Sequence, residues 1–164
     1  MQNSVFEVQQ FLKQLYGPNT RFENSDLGPK NAVIIPYGYN VSIAGLAQNQ
    51  TQTVQLVISA NADFIFTAAS YRAAIAAAQS VSTKTAAFVR LLITDSGTNQ
   101  PFTNSAVDLE NYASNGSFNR SMQYPRFISG RASLTFQFTN YAPTAETYSS
   151  LDFYLSGYNV QLYN

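Results

Sequence analysis

At 164 residues the chain has room for one domain with a core of its own. It carries nine basic and nine acidic residues, no cysteine and no histidine. Disulfides, thiolate metal sites, histidine-based triads and the usual zinc centres are thereby excluded, and a zero net charge leaves no electrostatic footprint for nucleic acid or an anionic membrane surface. Asn, Gln, Ser and Thr make up about a third of the chain, beside eleven Tyr and twelve Phe. Such a polar, uncharged, tyrosine-rich surface favours lasting contact with protein or sugar. Met1-Gln2-Asn3-Ser4 lacks a basic signal-peptide start, and no apolar stretch reaches membrane-spanning length. The Asn-x-Ser/Thr patterns at Asn40, Asn49, Asn115 and Asn119 read as chance in so Asn-, Ser- and Thr-rich a chain.

Ser4-Val5-Phe6-Glu7 fits a capping box, and Val5, Val8, Phe11, Leu12, Leu15 and Tyr16 recur at helical spacing until Gly17-Pro18 stops them. An amphipathic helix is expected over residues 5 to 16. Its apolar stripe either covers a face or open end of the chain's own sandwich or docks on a neighbouring subunit, since such a helix has no place within the sheets. Residues 18 to 31 form a polar connector, so the chain divides into 1–30, helix and connector, and 31–164, a β domain.

Ala32 to Ile35 predicts a short strand ended by Pro36, with Tyr37-Gly38-Tyr39-Asn40 as a loop presenting two tyrosines. Val41 to Leu46 follows as a strand, then the turn Gln48-Asn49-Gln50. Thr53 to Ser59 alternates, with Val54, Leu56 and Ile58 on one face. Asn61-Ala62-Asp63 turns into the strand Phe64 to Thr67. Tyr71 to Gln79 is small and helix-prone, and reads as an inserted loop with room for one short helix.

Phe88 to Thr94 predicts a strand buried on both faces or lying in a sandwich core, stopped by the turn Asp95-Ser96-Gly97, where Gly97 supplies positive φ. Ala106 to Glu110 alternates at period two, placing Val107 and Leu109 inward with Asp108 and Glu110 outward. Tyr112 to Gly130 is long and turn-rich around Asn115-Gly116 and Tyr124-Pro125. Ser133 to Thr139 puts Leu134, Phe136 and Phe138 on one face. After a loop over 140 to 149, Leu151 to Tyr158 and Val160 to Tyr163 close the chain as one strand with a glycine-marked bulge or as two. The expected fold class is all-β: a single antiparallel β-sandwich or jelly roll of about eight strands with one amino-terminal amphipathic helix.

Catalysis finds little footing. Asp108 and Glu110 share a predicted strand face, but glycosidase chemistry needs two carboxyls facing each other across a cleft, and a solvated edge explains the pair. Asp63, Asp95 and Asp152 sit where turn capping accounts for them. The run Asp95 to Asn99 lacks the ligand spacing of a calcium loop, and neither a nucleophile elbow nor a phosphate loop occurs. No enzymatic activity, cofactor or metal is expected.

One resemblance rests on the order of several segments. Asp63-Phe64-Ile65-Phe66 comes first, then Val89 to Ile93 with Thr94-Asp95-Ser96-Gly97, then Asn104 to Asp108 and Tyr124-Pro125-Arg126-Phe127. Leu134-Thr135-Phe136 with Thr139-Asn140, and Leu151 to Tyr158, complete the series. This succession, covering about the last hundred residues, resembles small jelly-roll structural proteins of tailed bacteriophage particles. The resemblance implies a virion protein made in the host cytoplasm, above all a capsid decoration (cement) protein bridging major capsid subunits. Related sandwiches also serve at the neck, in tails or in fibres. Its expected partners are the major capsid protein or other virion subunits, and further copies of itself as a homo-oligomer, with no nucleic acid and no membrane. Partner contact is expected at Phe6, Phe11, Leu12 and Leu15 in the helix and at Tyr37, Tyr39, Tyr124 and Phe127 in loops. A lectin-like module is the alternative, because Tyr37, Tyr39, Tyr112, Tyr124 and Tyr148, all placed in loops, suit sugar stacking as well as protein contact.

Overall fold

The computed structural model describes residues 32–75, 86–116 and 119–162, together with Gln10, Lys13 and Gln14. Nine strands among these residues form two antiparallel sheets. They are β1 (Ala32–Leu46), β2 (Thr51–Val57), β3 (Asp63–Ile75), β4 (Val89–Asp95), β5 (Gln100–Pro101), β6 (Val107–Asp108), β7 (Arg120–Ile128), β8 (Ser133–Asn140) and β9 (Tyr148–Leu162). A single helical turn, α1 (Leu109–Tyr112), follows β6. The four-stranded sheet runs β1-β9-β3-β7, and the five-stranded sheet runs β2-β8-β4-β5, with β6 also on β4. Long strands therefore alternate between sheets, and pairing is nested: β1 with β9, β2 with β8, β3 with β7.

Period-two patterning positions the core. On β8, Leu134, Phe136 and Phe138 are buried, and on β4 Val89, Leu91 and Ile93 are buried while Arg90 is exposed. β4 thus buries one face strongly, which decides between the two expectations for it. From the facing sheet come Phe64, Phe66, Tyr71, Leu151, Phe153 and Leu155. Phe153 tilts against Phe136 at 5.9 Å and against Phe138 at 6.4 Å, spacings at which aromatic pairs add to simple burial.

Among the described residues the buried side-chain polar atoms are paired, with the exception of the Asn159 Oδ1. The buried Asn140 side chain donates to the carbonyls of Leu46 at 3.1 Å and Glu146 at 2.9 Å, and accepts from the Ala142 N–H at 2.9 Å. Two buried tyrosines anchor the entry to β4: Tyr148 accepts from the Phe88 N–H at 2.8 Å and Tyr71 accepts from the Ala87 N–H at 3.1 Å. The Tyr71 hydroxyl also donates to the Glu110 carboxylate.

Several expectations are corrected. Residues 36 to 40 are not a loop: β1 runs unbroken through Pro36 to Leu46. Pro36 is tolerated because β1 is an edge strand among the described strands, pairing on one side with β9. Gly38 leaves room for the Tyr154 ring, whose hydroxyl lies 2.1 Å from where a Cβ would stand, so a larger residue there would push that exposed ring aside. Tyr71 to Ile75 is the end of β3 rather than an inserted loop, with Tyr71 and Ala73 buried. The Asp95 turn forms as expected, its carboxylate accepting from the Gly97 N–H at 2.8 Å, but the positive φ of that loop belongs to Asn99 at 54°. The alternation at 106 to 110 breaks after Asp108, so Glu110 lies on α1 and shares no strand face with Asp108. The stretch from Tyr112 is not all turns, for Arg120 to Ile128 is the strand β7. The carboxyl-terminal segment is one strand, β9, opposite a register irregularity in β3 between Phe66 and Ala68. The expected helix over 5 to 16 lies outside the described residues apart from Gln10, Lys13 and Gln14.

Candidate docking surface

Of the eight expected contact residues, Phe6, Phe11, Leu12 and Leu15 lie outside the described residues. The other four stand on strands, not loops. Tyr37 and Tyr39 belong to β1 and Tyr124 and Phe127 to β7, the two opposite edges of the four-stranded sheet. Three inter-strand spacings, about 14 Å, separate the two edges, so the pairs do not form one patch.

At the β1 edge the aromatics form a ladder running inward. Tyr37, 46% exposed, meets Tyr39 edge-on at 5.0 Å, and Tyr39 meets the buried Phe64 at 4.9 Å. The Tyr39 hydroxyl accepts from the Ser59 N–H at 3.1 Å, tying this edge to the chain beyond β2. Burial pushes the Tyr39 hydroxyl above its ordinary pKa. Tyr39 is therefore a structural strut, and Tyr37 is the residue offered to a partner, beside Ile35 at 41% exposed.

The β7 edge is shaped by a break in its ladder. Phe66 pairs with Arg126 but Ala68 already pairs with Ser121, so Met122 to Pro125 bulge outward opposite Thr67. Tyr124 is carried on this bulge and is 74% exposed. Phe127, half-buried, stays in the ladder opposite Ile65.

Behind the bulge lies a groove of about 660 Å³ between the edges of the two sheets, lined among others by Phe102, Tyr112, Arg120, Met122, Tyr124 and Arg126. The Arg126 guanidinium sits 4.3 Å from the Phe102 ring centre and donates to the Phe102 carbonyl at 2.8 Å. Arg120 donates to the Glu110 carbonyl at 2.5 Å, while the Glu110 carboxylate is turned to Tyr71. Both guanidiniums bond main-chain oxygens, and among the described residues lining the groove they stand as two cations beside an aromatic floor. Tyr112, on its wall, is buried and shares a 3.1 Å hydrogen bond with Thr103.

Asp108 and Glu110 are no facing pair, and no cluster of three or more metal-ligating side chains occurs among the described residues. The tyrosines considered for sugar stacking divide: Tyr112 and Tyr148 are buried, Tyr39 is a strut, and only Tyr37 and Tyr124 present a large face. Arg120, Met122 and Arg126 escaped sequence reasoning although they share a period-two row with Tyr124, because Pro125 and Asn115-Gly116 mark the stretch as turns.

No protein-family model matches the chain, and no curated protein matches it. Among solved structures it is similar to a chain of the Cyanophage Pam1 capsid asymmetric unit, at 14% identity over 86% of this chain and 98% of that one, with a TM-score of 0.40. A superposition this loose does not separate one β-sandwich from another.

Proposed function

We propose that the chain is a non-enzymatic structural protein of a tailed-phage virion, a capsid decoration protein built as a single jelly roll. The observation that carries the reading is the nested pairing of β1 with β9, β2 with β8 and β3 with β7, the rolled hairpin of a jelly roll, on which the exposed aromatics stand at open sheet edges. The order of segments from Asp63 to Tyr158 supports it, as does a surface poor in charge. Its mechanism is adhesive: Tyr37 at one edge, and Tyr124 with the groove of Arg120 and Arg126 at the other, bury area against neighbouring subunits and stabilise the shell by mass action. Two contact edges on one small domain suit a bridge between capsid subunits or between copies of itself.

Quantitative mass spectrometry of purified virions tests this. A copy number near that of the major capsid subunit is expected. A far lower number moves the chain to the neck, tail or a fibre, and absence from the particle refutes the virion reading. The lectin reading is disfavoured by the burial of Tyr112 and Tyr148. It returns if a glycan panel raises the melting temperature of a chain that particles lack.

A further inference from the structure

Among the described strands the two sheets present four edges, and three of them carry features that oppose further pairing. β1 holds Pro36 and Gly38, β7 holds Pro125 on its bulge beside Arg120 and Arg126, and the far side of β4 ends in two-residue strands, one of them containing Pro101. Proline, bulges, charge and shortness are the devices by which natural sheets keep the strands of other chains from adding to them. β2 has none of them. Thr51-Gln52-Thr53-Val54-Gln55-Leu56-Val57 contains no proline, glycine or charge, and no charged residue occurs between Lys30 and Asp63. It pairs with β8 through all seven residues without a break, and no described strand pairs with its other side.

Backbone and side chains of β2 are both set for a partner strand. The Ile58 N–H donates to the Ala132 carbonyl at 2.9 Å and the Asn140 N–H to the Gln50 carbonyl at 3.0 Å. The alternation of an antiparallel ladder then turns the main-chain groups of Gln52, Val54 and Leu56 toward β8 and those of Thr51, Thr53, Gln55 and Val57 away from it. These last four residues are exposed, Val57 at 64%. Val54 and Leu56 point into the core yet are only half-buried, whereas Phe136 and Leu134, paired with them one strand further in, are 0% exposed. The core is open along the flank of β2, and one more strand would close it.

The strand is also complementary to itself. In an antiparallel pair about a two-fold axis at Val54, Thr51 stands opposite Val57 of the second copy, Gln52 opposite Leu56 and Thr53 opposite Gln55. Every residue with outward main-chain groups then faces another such residue, giving about eight hydrogen bonds with no like charges opposed. We propose that two copies of this chain pair their β2 strands in this way, joining two five-stranded sheets into one. The inference rests on β2 and does not depend on the virion reading.

Light-scattering mass over a dilution series of the full chain tests it. Twice 18.1 kDa is expected at high concentration, with dissociation on dilution. Salt at about 1 M is expected to leave the association unchanged, because no charge takes part. Thr53→Pro removes a main-chain N–H that β8 does not use, so this variant is expected to keep its β-sheet circular dichroism while its dimer weakens tenfold or more. Thr53→Lys with Gln55→Lys sets like charges opposite each other across the axis and is expected to give monomer. An equimolar mixture with the chain carrying Thr53→Glu and Gln55→Glu is expected to restore the dimer. This pair of variants, both at exposed positions, reads the same contact where proline costs stability. A dimer untouched by Thr53→Pro overturns the proposal, as does a Lys and Glu mixture that fails to associate. A chain that stays at 18.1 kDa throughout also overturns it, and leaves the edge to an extended segment of another protein.

Discussion

Alkaline titration probes the interior of this sandwich directly, because the core keeps its tyrosines protonated. Burial pushes the Tyr71, Tyr112 and Tyr148 hydroxyls above their ordinary pKa, and for Tyr71 the hydrogen bond to the Glu110 carboxylate adds to it. In the unfolded chain these groups ionise near 10. Below that pH both states hold the protons and these residues give no pH dependence. Above it the folded state holds more protons than the unfolded one, so stability falls as pH rises, by up to about 1.4 kcal/mol per pH unit for each group. Each group's contribution is lost only between its unfolded and its raised folded pKa, so stability is expected to fall as pH rises above 10. Tyrosinate absorbance followed together with far-ultraviolet circular dichroism reads it: part of the absorbance should appear late, concerted with loss of the β signal. If all the absorbance appears in one reversible step centred near 10 with the β signal intact, the reasoning is wrong. Tyr71→Phe should flatten the alkaline slope while costing about 1–3 kcal/mol at neutral pH, since the Ala87 N–H loses its acceptor.

Three further outcomes follow from particular contacts. A Cβ on Gly157 would stand 1.9 Å from the Ile65 carbonyl oxygen, a backbone collision between β3 and β9, so Gly157→Ala should destabilise by about 3 kcal/mol or more in urea unfolding. Asn140→Ala removes the partner of two buried main-chain groups and one part-buried carbonyl and should cost about 2–3 kcal/mol by the same assay, whereas a loss under about 1 kcal/mol would mean water replaces the amide. Tyr124→Ala should shift stability by no more than about 0.5 kcal/mol while weakening attachment to virions tenfold or more; unchanged attachment removes the β7 edge from the docking surface.

Local patterning by itself determined the all-β class and most core positions. Leu134, Phe136 and Phe138, and Val89, Leu91 and Ile93, follow the pleat of a half-buried strand, and Asp95 caps its turn through its own backbone. Tertiary structure decided what depends on neighbours in space. Pro36 and Pro125 read as strand breakers, yet both sit on edge strands, where a missing N–H disrupts no ladder on the open side. Tyr71 to Ile75 has helix-forming composition, but pairing with β9 and the burial of Tyr71 and Ala73 override propensity. Tyr112 and Tyr148 look like exposed loop aromatics until their burial is seen, because exposure is set by which element lies opposite and not by the residues beside them in the chain. The groove of Phe102, Arg120, Tyr124 and Arg126 is the clearest case: the chain brings segments some twenty residues apart to the same open edge, and only the fold of the two sheets makes them one surface.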